Sequence, residues 1–507
     1  VNIGVKMGTF FLTICTILPL LLYYYITRTF NYWKKRNVAA PTPLPLVGNM
    51  IDLCLRRKNI GVVFEEIYNM FPEEKVVGIY TMTTPNLLIR DLDIIKHIMI
   101  KDFDFFMDRG LDFGKEGLGA NLFNTDGDTW RTLRSRFTPL FTSGKLKNMF
   151  YLMEERADKF INYMEKECEK TPEQEVRNLV QKFTISSIAA CAFGIDIDTL
   201  GDTLEVLKEV DRLTLTPTFV QEIEMMFPGF LKIFSSLAFP KPMVKFFFDL
   251  VKNVMIQRDG KPTNRNDFMD LILELRQQGT IQSKEKFGDA SVSLEITDAV
   301  MAAQAAVFYI GGYETSATTL CYALYEIAVK PEVQDKLIEE LEESLRVNDG
   351  KISFNSLKEM KYMDKVINET LRLHSIVEPL QRQAREDYTL PGTDVVVKKG
   401  QKVFISPRGI HRDEKYYDNP EVFDPERFSP EAVGARHSCA YIPFGTGPRN
   451  CIGELFGQIQ TRLCLAKILS KFRVEPSINT HKILEVEPNR VIIGPKDGVH
   501  VNFVRRM

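Results

Sequence analysis

A run of 20 residues near the start of the chain, Met7 to Ile26, carries no charge. As a helix rising about 1.5 Å per residue it would reach about 30 Å, the thickness of a bilayer core. Tyr23, Tyr24, Tyr25 and Trp33 suit a membrane–water interface. Arg28, Lys34, Lys35 and Arg36 follow the run and only Lys6 precedes it, which places everything after it on the cytosolic side. A cleaved signal peptide or a buried core helix would share the apolar pattern. The run is longer than a typical signal core, however, and lacks a small-residue cleavage site. The reading is an uncleaved anchor over 1–27. A basic and proline-rich linker over 28–50 follows, stiffened by PTPLPLVG, Pro41 to Gly48.

Beyond residue 50 the 3.6-residue period dominates. Apolar positions recur at helical spacing over 150–170, 179–193, 264–278, 298–329, 331–346 and 455–472. Strand-like stretches are short: 75–90, 387–405 and 484–504. Pro391-Gly392 and Lys399-Gly400 mark turns between strands. No repeat and no second linker interrupts the pattern. It predicts an α+β fold, mainly α with small β-sheets at its edges, in one large domain over 51–507.

Composition narrows this only a little. The 507 residues are 44% hydrophobic and 26% charged, which fits a globular body and not a bundle of membrane spans. A net charge of −2 argues against a nucleic-acid partner. The eight cysteines have no paired spacing, so a disulfide framework is not expected and a reducing compartment is. The six histidines offer no H-x-x-x-H pair.

The densest unusual stretch is FGTGPRNCIG, Phe444 to Gly453. Its glycines permit tight turns, and an apolar helix pattern follows at once. A cysteine ahead of a helix N-terminus sits in a positive field that favours the thiolate. Arg449, two residues earlier, is placed to neutralise an anionic cofactor group. One cysteine alone could equally be a small core residue.

The spacing F-x-x-G-x-R-x-C-x-G resembles the signature of the cytochrome P-450 superfamily at all its fixed positions: Phe444, Gly447, Arg449, Cys451 and Gly453. The resemblance extends along the chain. ETLR, Glu369 to Arg372, is similar to the family's E-x-x-R helix, and PERF supplies Arg427. Together they imply a buried triad that braces the cofactor pocket. GGYETS, Gly311 to Ser316, is similar to the oxygen-activating motif. It implies catalytic roles for Glu314 as an acid and Thr315 as a hydroxyl that orients a water chain. Trp130 and Arg134 are similar to the family's W-x-x-x-R helix. The cofactor implied is heme b (haem), with Cys451 as the thiolate ligand to its iron and Trp130, Arg134, Arg382, Phe444 and Arg449 around it. The wording AAQAAVFYIGGYETSATT is similar to insect xenobiotic-metabolising members of microsomal type.

The family reading implies a monooxygenase using O2 and NADPH-derived electrons at the endoplasmic reticulum membrane. No strand–GxGxxG–helix unit is present, so a separate NADPH-cytochrome reductase is the implied partner and cytochrome b5 a second candidate donor. The basic cluster Arg131, Arg134, Arg136, Lys145 and Lys147 is a docking candidate, or simply a solvated face. The implied substrate pocket comprises Phe105, Phe106, Leu118 and Phe123, then Phe308 and Gly312, then Val377, Leu380 and Ile492. A stretch rich in Phe, Pro and Met, 213–245, is an access-lid candidate.

Two departures from the family wording stand out: Ser375 where proline is usual, and ELFG, Glu454 to Gly457, just after the cysteine. Three other functions compete. A monooxygenase of an endogenous lipid or hormone would share every motif. A haem-thiolate isomerase or dehydratase would have no use for the Glu314–Thr315 pair, and a lipophile carrier would need no electron donor.

Overall fold

The computed structural model describes residues 16–111, 117–195, 212, 239–263, 265, 267–277, 279–282 and 293–506. Its centre is the helix Asp298–Val329, at the bounds that periodicity predicts. Thr297 caps its start, the hydroxyl oxygen accepting the Val300 N–H at 3.3 Å. Pro331 ends it, because the residue before a proline is pushed out of α conformation, and opens the next helix, Pro331–Val347. The central helix is buried on nearly every side, the pattern of a core element. Against it pack the helices Val176–Ile188, Lys241–Gln257, Lys361–Leu373 and Glu454–Leu469.

A smaller β layer lies beside this helical body. Strands Val76–Thr81 and Thr84–Ile89 form a hairpin with Val76 opposite Ile89. Thr84–Ile89 pairs in parallel with Lys402–Ile405, Leu87 opposite Val403, and Leu380–Gln383 adds the antiparallel fourth strand. Leu87, Leu88, Ile89, Val403 and Ile405 are fully buried, so these strands read as continuous apolar runs. The helical core and the sheet core are separate apolar clusters, and the site forms between them.

Three expectations change. The stretch 484–504 yields one strand, His500–Arg505, because Pro488, Gly494, Pro495 and Gly498 break the ladder before it. Residues 28–50, expected as a linker outside the body, are largely part of it. Trp33 is fully buried against the hairpin, its indole N–H donating to Ile79 O at 3.3 Å, so it does not stand at a membrane interface. Gly48 bridges to Thr81. Residues 16–27 are helical and expose Leu18, Leu20, Leu21 and Tyr24. No helix among the described residues is long and apolar enough to cross a membrane. The first part of the expected anchor, 1–15, and most of the expected lid, 213–238, lie outside the described residues; 241–257 is a helix.

Candidate active site

The loop Phe444–Gly453 is closed by its own main chain. Cys451 N–H donates to Phe444 O at 2.8 Å and Asn450 N–H to Gly447 O at 3.1 Å. Gly447 has a left-handed φ of 77° and lies so close to Met99 that a Cβ would run into the Met99 carbonyl oxygen. Only glycine fits there. The helix Glu454–Leu469 starts just beyond Cys451, which leaves the sulfur at its electropositive end. Five other described cysteines are buried and Cys54 is half-buried, whereas Cys451 is exposed, into a cavity. The cavity lies deep in the protein, so burial pushes the Cys451 thiol up; the Gly453 N–H, Arg134 and Arg109 pull it down, against Glu454.

The cavity measures about 1050 Å³ and reaches from the helical core to the sheet core. Phe123, Phe141, Phe239, Phe268, Phe308 and Met243 give it an apolar wall. Phe308 is held by three rings, stacked on Phe141 at 5.4 Å, tilted on Phe268 at 4.3 Å and edge-on to Phe137 at 5.7 Å. The expected pocket residues Leu118, Phe123, Phe308, Gly312, Val377, Leu380 and Ile492 all line it. Phe105 and Phe106 do not. They lie on the turn Phe103–Phe106, which points them at Tyr388 with ring centroids 5.4 and 5.0 Å away; Phe106 is fully buried in the sheet core.

Beside Cys451 the wall turns cationic. Arg134 joins its helix, Gly127–Phe137, to the cysteine loop, donating from Nη1 to Asn450 O at 2.7 Å and from Nη2 to Asn450 Oδ1 at 2.8 Å. Arg449 donates to Met107 O at 2.5 Å and Asp126 Oδ1 at 3.1 Å, with its guanidinium 4.9 Å from the Trp130 ring centre. Arg382 donates to Gln381 O at 2.8 Å. Burial, then the Arg449 charge, lowers Arg382 to about 9. Arg109, absent from the sequence reading, lies on the same wall and is held low by burial, Arg449 and Arg382. Its only sequence signal is a charge within an otherwise unremarkable loop.

Three mutually repelling guanidiniums on one dry wall call for anions. Arg382 Nε and Arg449 Nε are buried with no hydrogen-bond partner among the described residues. A flat dianionic ligand whose carboxylates meet these donors while Cys451 meets a metal at its centre satisfies both requirements. The residues therefore fit haem.

On the central helix the two motif glycines divide the work. A Cβ on Gly312 would lie 2.6 Å from Ile188 Cδ1, so Gly312 allows close helix packing. A Cβ on Gly311 would meet nothing within 4 Å, so Gly311 leaves room in the cavity. Thr315 lines the cavity, its hydroxyl donating to Gly311 O at 2.7 Å. Glu314 does not line it. Buried, it accepts from Arg177 Nη2 at 2.7 Å, Gln181 Nε2 at 2.7 Å, Thr318 Oγ1 at 3.2 Å and Arg490 Nη2 at 3.2 Å. Nothing in the local sequence pointed to Arg177, Gln181 or Arg490, which come from 133 to 176 residues away.

Glu369 and Arg372 are fully buried and paired in bidentate fashion at 2.7 and 2.8 Å. Arg427 Nε stands 3.4 Å from Glu369 Oε1, too poorly aimed for a hydrogen bond. Arg372 also donates to His411 O at 2.7 Å, and Asp424 N–H to Glu369 Oε1 at 2.8 Å. Ser375 has a partner that explains it. His411 Nε2 accepts the Ile442 N–H at 3.0 Å, so its proton sits on Nδ1 and donates to Ser375 Oγ at 3.2 Å.

Residues 38–502 match the sequence profile of the family Cytochrome P450. The chain is similar to cytochrome P450 6B2 of Helicoverpa armigera, 59% identical over 98% of each chain. It is 52% identical to cytochrome P450 6B1 of Papilio polyxenes, over 98% of this chain and all of that one. It is 38% identical to cytochrome P450 6a2 of Drosophila melanogaster, over 96% and 97% of the two. The loop around an exposed cysteine, the cationic wall and these likenesses have one explanation: the chain belongs to the cytochrome P450 family and is a haem-thiolate monooxygenase that takes NADPH-derived electrons from a partner reductase.

Proposed function

We propose that this monooxygenase oxidises lipophilic foreign compounds, such as plant toxins or insecticides, in the cavity onto which Cys451 opens. The observation that carries the reading is the wall itself: one roomy apolar space contains Cys451, Thr315 and the arginine cluster. Apart from its arginines the wall is broad and apolar, which suits many lipophiles, whereas selecting one hormone needs dedicated hydrogen-bond partners.

When bound, haem supplies the iron that binds and reduces O2 and passes one oxygen atom to the substrate. Cys451 Sγ would ligate it, Arg134, Arg382 and Arg449, with Arg109, would hold its anionic groups, and Trp130 and Phe444 would pack against it. Phe308 and its ring neighbours exclude water and hold the substrate. Thr315 Oγ1 donates to Gly311 O, so its lone pairs are turned to the cavity to fix a water there. Glu314 lies one residue away in its cage; once that cage loosens, its carboxylate takes up a proton from water and passes it on. The Glu369–Arg372–Arg427 set holds the loop from behind.

Residues 16–27 continue the apolar run from Met7 and serve as the end of a single-pass anchor in the endoplasmic reticulum, with the catalytic domain cytosolic. Arg136, Lys145 and Lys147 are exposed and form the docking face for an acidic donor, the reductase first and cytochrome b5 second. Arg134 is withdrawn from that face by Asn450.

The reduced, carbon monoxide-treated spectrum of haem-loaded protein tests the ligand: a Soret band away from the thiolate position refutes it. NADPH use with purified reductase across a lipophile panel tests the substrate class. Turnover confined to one endogenous lipid would replace it. Thr315→Ala is expected to divert most NADPH from product to reduced oxygen, and undiminished product per NADPH would remove Thr315 from the proton path.

A further inference from the structure

Arg490 lines the cavity, between Asn489 and Val491, and its Nη2 also reaches Glu314 Oε1. Its main chain is pinned: the buried Asn59 side chain donates to Arg490 O at 2.9 Å and to Glu487 O at 3.0 Å. Ile493 N–H then donates to Ile376 O at 2.9 Å.

Among the contacts to Glu314 the two arginines are unequal. Arg177 stands at 2.7 and 2.9 Å through two nitrogens, and Arg490 at 3.2 Å. Hydrogen bonds weaken as they lengthen, so Arg490 is the donor most readily exchanged. Arg109, Arg134, Arg382 and Arg449, which line the same cavity, would hold the anionic groups of haem. Arg490 lines the same cavity as the apolar rings.

We propose that Arg490 is a specificity and positioning residue. Its guanidinium donates to an acceptor oxygen on the substrate, a carbonyl or ether, in place of Glu314, and so couples binding of such substrates to loosening of the Glu314 cage. By linkage, Glu314 and an acceptor-bearing ligand then compete for one donor. The proposal rests on the cavity being the substrate site.

The test uses haem-loaded full-length protein and two probes of one shape, benzophenone with its carbonyl and diphenylmethane without. Soret titration gives each Kd without turnover. Arg490→Gln is expected to weaken benzophenone about tenfold, the loss of one charge-assisted hydrogen bond, and to leave diphenylmethane within twofold. Glu314→Gln, which weakens the competitor, should tighten benzophenone severalfold, and should do nothing further in an Arg490→Gln background. Arg490→Lys keeps a charged donor and should retain most of the preference. If the glutamine variant does not hold haem, Arg490→Met replaces it. Equal effects on the two probes, or none on either, overturn the role of Arg490. A wild-type Soret band that neither probe shifts overturns the substrate-site reading instead.

Discussion

Arg134 grips Asn450 through both terminal nitrogens, main-chain oxygen and side-chain amide oxygen together, one residue before Cys451. The contact links the tryptophan helix to the cysteine loop across 316 residues of sequence. It makes Arg134 a brace for the loop.

Asn450→Ala removes one of the two acceptors and keeps the main-chain one. A hydrogen bond from a charged donor contributes about 1.5–3 kcal/mol, so Arg134→Ala should cost more than Asn450→Ala. Haem loss to an excess of apomyoglobin measures this. Arg134→Ala should release haem at least tenfold faster than wild type, with Asn450→Ala between them. Equal release rates for all three would refute the brace.

The two central glycines should respond in opposite ways to alanine. Gly312→Ala forces a methyl group against Ile188, and overpacking of this kind costs about 1–3 kcal/mol. Gly311→Ala enters open space and replaces a poor helix former, a gain of up to about 1 kcal/mol. Urea unfolding followed by the Soret band should show destabilisation for the first alone. Gly311→Ala should instead change ligand affinities, since its methyl group occupies cavity volume.

Ser375→Ala strands the His411 Nδ1–H in a dry site. Leaving a buried donor unmet costs about 1–3 kcal/mol. The unfolding midpoint should drop accordingly. No change would mean that the imidazole finds another acceptor.

His411 also sets a pH dependence. Burial, and then the Arg372 charge, lowers its pKa from the ordinary 6.5 to about 3. Below pH 6.5 the unfolded chain takes up a proton that the folded protein refuses. The stability that neutral His411 contributes is therefore full above pH 6.5 and is lost as pH falls towards 3, at about 1.4 kcal/mol per unit. Between pH 6.5 and 5 the loss is about 2 kcal/mol. Unfolding of a His411→Gln variant should show about one proton less of linkage across this range, and an identical slope would refute the assignment.

The periodicity of the chain carried most of the helical architecture, and Asp298–Val329 fell at the predicted residues because Thr297 and Pro331 are local signals. The cysteine loop was legible for a similar reason: a tight loop before a helix needs particular residues at fixed spacing. What local signals do not carry is direction. Phe105 and Phe106 read like pocket residues, and their turn aims them at Tyr388. Trp33 read as an interfacial residue, and the hairpin buries it.

By itself the sequence determined the α+β class, the tight loop around Cys451 and the Glu369–Arg372 pair, since each depends on neighbours a few residues apart. Only the tertiary structure decided that Glu314 turns from the cavity into a cage built by Arg177, Gln181 and Arg490. It alone brought Arg109 to the cationic wall and gave Ser375 its partner in His411. Those contacts join segments remote in sequence, and their energies come from burial and charge that exist only once the helical and sheet cores have closed around the site.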